Sequence, residues 1–180
     1  MTNRLFVAQL LPEEVISELI SIRNAIYKGP LPGRWEGTDK LHLTLKFLGD
    51  TEETKTDAVI KALEKNISKT GPISCEFERF GFFLPRILWL GLRVGEELFD
   101  LVKGINNDME LLGFEKEIRN FKPHITLLRI KSNPSSDFVS AFKDYKLPAR
   151  KFQSNEIALM RSKLLPGGSV YSEIKRFYLT

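Results

Sequence analysis

The strongest constraint on this chain is a duplication. Its two histidines occupy the same frame, His42-Leu43-Thr44-Leu45 and His124-Ile125-Thr126-Leu127. Each lies in an apolar run with the length and composition of a short strand, Leu41 to Leu48 and His124 to Ile130. The surroundings repeat as well. His42 follows the strand-like run that begins at Leu5 by 37 residues, and His124 follows the one at Leu88 by 36. A helical segment separates strand from histidine in both cases. The chain therefore reads as two strand–helix–strand units, each ending on a histidine-bearing strand. A pseudo-twofold axis between them would bring the histidines face to face across a cleft.

Chance explains this poorly. With 9 Thr and 25 Leu in 180 residues, both histidines acquire Thr at +2 and Leu at +3 with a probability on the order of 5 in 100,000. One histidine in such a strand would read as a hydrogen-bonded structural residue; nothing structural requires the pair. Residues i and i+2 of a strand share a face. His42 and Thr44 therefore point one way, with Lys46 beside them, while Leu43, Leu45 and Phe47 point to the core. His124 and Thr126 likewise share a face. Histidine titrates nearest neutrality, so two of them can hold one acid and one base at pH 7. Two hydroxyls beside them can hydrogen-bond phosphate oxygens. Such a constellation suits in-line attack on a phosphodiester without a metal or nucleotide cofactor.

The remaining elements follow from periodicity and punctuation. A strand is expected over Leu5–Leu11, then a helix over about Pro12–Tyr27 with Val15, Leu19, Ile22 and Ile26 on one face. Gly29–Gly33 reads as a loop. Asp50 and Glu53 resemble a capping box opening a helix that runs to about Ser68. Ile73–Phe82 and Ile87–Arg93 read as strands around a turn at Leu84-Pro85-Arg86. A helix over about Glu96–Leu112 ends at Gly113. A helix near Ser135–Asp144 and strands near Ala149–Gln153, Glu156–Lys163 and Ser169–Leu179 complete the chain.

Composition narrows the classes. The single cysteine, Cys75, can form no internal disulfide and sits at an alternating strand position, so it reads as a half-buried thiol. Two His, no Cys pair and no Asp-x-Asp cluster make no convincing metal site. The net charge of +4 is spread without a basic block, which suits short or transient nucleic acid and not a stable duplex. No apolar run is long enough to span a membrane. No leader is visible, so the cytoplasm is the expected compartment.

With these motifs the chain resembles the 2H phosphoesterases, and within them the RNA 2′,3′-cyclic phosphodiesterases, also described as 2′-5′ RNA ligase-like proteins. The resemblance covers nearly the whole chain. It includes Arg4-Leu5-Phe6-Val7-Ala8, Leu41 to Asp50, Leu88-Trp89-Leu90-Gly91-Leu92, Phe121 to Leu127 and Gly168-Ser169-Val170-Tyr171. It implies a single α+β domain over 1–180, bilobal, with two pseudo-symmetric lobes. Each lobe would have an antiparallel sheet and flanking helices, with the cleft between them. It also implies opening of a 2′,3′-cyclic phosphate at an RNA end to leave a 2′-phosphate, with His42 as proton donor and His124 as acceptor. Substrates would be RNA with 2′,3′-cyclic phosphate ends or small cyclic nucleotides, on a monomer with no cofactor. A 2′-5′ RNA ligase, which runs the same chemistry in reverse, and a non-catalytic nucleotide- or RNA-binding module are the alternatives.

Arg129 matches a basic residue that the family uses near phosphate. At +5 from His124 it faces the other way unless the strand bulges or ends. Lys46 has the right parity for a phosphate contact. Trp35, Phe80, Phe82 and Tyr171 are candidates for stacking on a base. Tyr171 is the strongest of them because it follows Gly167-Gly168-Ser169, a loop able to approach a ligand.

Overall fold

The computed structural model describes residues 2–180. Among the described residues nine strands and four α-helices follow in the order β1 (Thr2–Leu10), α1 (Glu13–Ile26), β2 (Gly33–Trp35), β3 (His42–Glu52), α2 (Thr56–Ile67), β4 (Ile73–Phe83), β5 (Ile87–Val94), α3 (Glu96–Leu111), β6 (His124–Ile130), α4 (Ser136–Lys143), β7 (Lys151–Ser154), β8 (Glu156–Leu165) and β9 (Gly168–Tyr178). This is an α+β architecture. Among the described residues no helix is long and apolar enough to cross a membrane.

The strands form one antiparallel sheet in the order β7-β4-β5-β6-β3-β1-β8-β9, with β2 added beside β6. The expectation of a separate sheet in each lobe is therefore corrected. The two repeats meet at β3 and β6 and fuse into a single curled sheet. The order is palindromic in role at its centre: β3 and β6 lie in the middle and β1 and β5 flank them; outside these, β4 joins β5 as its hairpin partner, whereas β8 joins β1 from the far end of the chain. The helices knit the halves further. α1 belongs to the first repeat by sequence yet packs on the second. Its C-terminal neighbour Tyr27 meets Phe138 of α4 edge-on at 5.2 Å, and Glu18 bridges Arg150 at 2.6 Å. α2 and α3 pack together, where Asn66 and Lys65 hold Asp108. One contiguous apolar core runs from Leu5 and Val7 through the buried faces of all four helices to Phe177.

Two local expectations change. The strand beginning at His42 continues to Glu52, with Asp50 opposite Arg4, so Asp50 caps nothing. The next helix opens at Thr56 after a 3-10 turn and has no side-chain cap. Gly33, expected at the end of a loop, starts the short strand β2 instead, where residues Gly33 to Trp35 pair with Ile130 to Leu128. A three-residue strand carries too little periodicity to be seen in a sequence. Gly113 does end α3, in the left-handed conformation at φ +84°.

Candidate active site

The site sits on the seam between the repeats. Leu43 pairs with Ile125 across β3 and β6. In an antiparallel pair that register sets His42 opposite Thr126 and Thr44 opposite His124. All four then share the face opposite the buried Leu43 and Ile125. One pocket is lined by these four together with Arg4, Phe6, Glu36, Lys40, Phe47, Arg129, Ser162 and Tyr171.

The same irregularity follows each motif. In β3 the register slips so that Val7 pairs with Lys46 but Ala8 with Thr44, leaving Leu45 as the extra residue of a β-bulge. In β6, Leu88 pairs with Leu128 but Trp89 with Thr126, leaving Leu127 extra. Two adjacent buried residues follow in each strand, Leu45-Lys46 and Leu127-Leu128. The bulge reverses the inside–outside alternation. It therefore returns the +5 position to the site face, bringing Arg129 into the pocket. It also corrects two face assignments. Lys46 is turned away from the pocket and buried, with its Nζ donating to the Glu115 carbonyl at 3.0 Å. Phe47, expected in the core, is 68% exposed and lines the pocket.

The two histidines share a mounting and differ in surroundings. Each ring bonds the backbone two residues upstream. His124 Nδ1 lies 2.7 Å from the Lys122 carbonyl, which can only accept, so Nδ1 carries a proton and Nε2 is left for the pocket. His42 bonds the Lys40 backbone, and its Nε2 lies 3.1 Å from Thr44 Oγ1. Its ring stacks on Phe6 at 5.1 Å and meets the edge of Tyr171 at 5.6 Å. This burial pushes the His42 pKa down to about 4; the Lys40 bond works against the shift, and the charges of Arg129 and His124 add to it. His124 has Phe83 edge-on at 5.3 Å and Trp89 at 6.2 Å.

Arg129 is held by Glu36, whose Oε1 lies 2.6 Å from the guanidinium Nε. The Glu36 backbone is pinned at both ends. Its N–H donates to the carbonyl of the bulge residue Leu127 at 2.7 Å, and its carbonyl accepts from Arg23 at 2.9 Å. Arg23 in turn stacks over Trp35 at 4.9 Å. Burial raises the Tyr171 pKa, partly opposed by the charge of Arg129 and a hydrogen bond to it. The β8–β9 hairpin that carries Tyr171 reaches the other half of the sheet, where Arg34 of β2 donates to the Gly167 carbonyl at 3.0 Å.

Of the residues singled out by sequence, His42, Thr44, His124, Thr126, Arg129 and Tyr171 surround the pocket, and Lys46 does not. Trp35, Phe80 and Phe82 do not line it either. Phe80 and Trp35 pack edge-on against Phe142, and Phe82 against Phe138, on the helical side of the sheet. Sequence reasoning missed Phe6, Glu36, Lys40, Phe47 and the Phe83–Trp89 pair beside His124. Phe6 and Trp89 had a signal, since each is the residue after the leucine that opens its repeat. Glu36 had none. Cys75 is buried, accepts from Gln9 and has its pKa pushed up to about 11, so it is a structural thiol. Among the described residues no group of three or more His, Cys, Asp or Glu is placed to hold a metal ion.

The 2′-5′ RNA ligase superfamily model matches residues 11–164. A protein of Aquifex aeolicus named RNA 2′,3′-cyclic phosphodiesterase is 32% identical over 154 residues, covering 82% of each chain. One of the same name from Escherichia coli K12 is 32% identical over 180 residues, covering 99% of this chain and 97% of its own. The crystal structure of E. coli LigT complexed with 3′-AMP superposes with a TM-score of 0.82 at 28% identity, covering 100% of this chain and 99% of that one.

Proposed function

From the premise that this chain belongs to the 2′-5′ RNA ligase superfamily, we propose that it is an RNA 2′,3′-cyclic phosphodiesterase that leaves a 2′-phosphate. The observation that carries the reading is the convergence of His42, Thr44, His124, Thr126 and Arg129 on one pocket from two duplicated bulged strands. A phosphate held there has a histidine on either side and hydroxyls on both. Water attacks phosphorus opposite the 3′ oxygen. Nε2 of His124, free because Nδ1 is committed to Lys122, takes the water proton. The bond from phosphorus to O3′ breaks, and His42 gives that oxygen its proton. Thr44, Thr126 and Arg129 hold the non-bridging oxygens as charge develops on them.

The donor role requires a charged His42, whereas burial favours its neutral form in the free protein. The substrate supplies the correction. An anionic diester beside the ring favours the imidazolium, so binding recruits the proton that the reaction uses. The aromatic lining, Phe6, Phe47 and Tyr171, lies on the His42 side, where the nucleoside would contact it. Ligation through a 2′-5′ bond uses the same groups with a ribose hydroxyl in place of water, and the abundance of water favours hydrolysis.

Turnover of an RNA ending in a 2′,3′-cyclic phosphate, measured in EDTA, tests this reading. Turnover unaffected by the chelator is expected. A protein that binds such RNA without turning it over, or that stops in EDTA, contradicts the proposal.

A further inference from the structure

Glu36 is out of place in a pocket built for an anion. Among the described residues that line it, Arg4, Lys40 and Arg129 are basic and Glu36 alone is acidic. A carboxylate there weakens anion binding unless it contributes something else. It cannot swing clear, because the residue is 8% exposed, both its backbone polar groups are bonded and Oε1 is held by Arg129. By taking Nε it leaves the terminal nitrogens of the guanidinium for other partners. It also leaves a fixed negative charge beside them.

That charge acts unequally on the two ends of the reaction. A cyclic phosphodiester carries one negative charge. A phosphomonoester, with a second pKa near 6, carries close to two at neutral pH. A fixed carboxylate therefore repels the monoester about twice as strongly as the diester. The geometry points to Glu36 as a specificity-determining residue that orients Arg129 and biases the pocket against the dianionic monoester, so that product is released in favour of fresh diester. This rests on the pocket being the phosphodiester site.

Calorimetric titration separates the two claims. The ligands are a nucleoside 2′-monophosphate and its methyl ester, which stays a monoanion, each at pH 8 and pH 5. Glu36→Gln keeps an oxygen for Arg129 Nε and removes the charge. At pH 8 the variant is expected to bind the monophosphate tighter than the parent does by a factor on the order of 3 to 10, with a clearly smaller gain for the methyl ester. At pH 5, where both ligands are monoanions, the two gains should become equal. Glu36→Ala should shift the ratio the same way while weakening both ligands, because Arg129 loses its orienting partner. Equal gains for both ligands at pH 8 in these variants overturn the role of Glu36. Arg129→Gln, run alongside, should weaken both ligands. If it leaves both unchanged, the pocket is not the phosphate site and the functional reading fails with it.

Discussion

The two halves of the site carry the same motif on the same bulged strand and end in different chemistry. In the first, His42 is packed beneath Phe6 and against Tyr171, its pKa is pushed down to about 4, and position +5 is Phe47. In the second, His124 is flanked edge-on by Phe83, its Nδ1 is fixed by Lys122, and position +5 is Arg129, held by Glu36. The backbone supplies the symmetry, and the residues around it remove it. In the proposed mechanism one phosphate between two identical imidazoles needs one donor and one acceptor, and identical surroundings could not assign them. The apolar half and the charged half can.

If the halves divide the work this way, the largest effect comes from removing either imidazole. His42→Ala and His124→Ala should each lower turnover by at least about 100-fold, the scale for losing a general acid or base. Circular dichroism should report a folded protein. Near-normal turnover in either variant breaks the comparison.

The hydroxyls come next. Thr44→Val and Thr126→Val keep shape and remove one phosphate contact each, costing about 1–3 kcal/mol in transition-state stabilisation. Steady-state kinetics at subsaturating substrate reads this directly, and unchanged kcat/KM in both would make the threonines structural.

The asymmetry itself is sharpened by pH. Because kcat/KM reports the free enzyme and kcat the complex, the acid limb of kcat/KM should extend toward pH 4, set by buried His42. The acid limb of kcat should lie at higher pH, since the bound diester favours the charged ring. Phe6→Ala, which uncovers His42, should move the kcat/KM limb upward toward ordinary histidine values. Coincident limbs in the parent protein contradict the recruitment of a proton by substrate.

The last effect is on stability and leaves turnover aside. The unfolded chain protonates His42 near 6.5 and the folded one only near 4. Stability present above pH 6.5 should therefore fall progressively as acid is added, by about 3 kcal/mol at pH 4. Urea unfolding across that range should show a shallower fall in His42→Gln.

The sequence carries the parts of this account that repeat or alternate. The two motif frames, the spacing from Leu5 and Leu88, and the helical faces of α1 and α3 were all legible, because periodicity reports burial directly. What escaped depends on a partner strand. The bulges at Leu45 and Leu127 arise from the register against β1 and β5, and no local pattern distinguishes a bulged Leu-Lys from a regular one. The bulge at Leu45 moved Lys46 out of the site and brought Phe47 in, and the one at Leu127 brought in Arg129. The fusion of two lobes into one sheet rests on the Leu43–Ile125 pairing, which joins residues 82 positions apart. Glu36 lies at the end of a three-residue strand and acquires its meaning only from Arg129, far along the chain.

The identity of the product tests the central claim most directly. An RNA or nucleotide ending in a 2′,3′-cyclic phosphate is turned over, and phosphorus NMR compares the product with 2′- and 3′-phosphate standards. With His42 protonating the 3′ oxygen and His124 activating water, the 2′-phosphate should be the dominant product. A dominant 3′-phosphate would contradict the division of labour between the two halves even if both histidines proved essential.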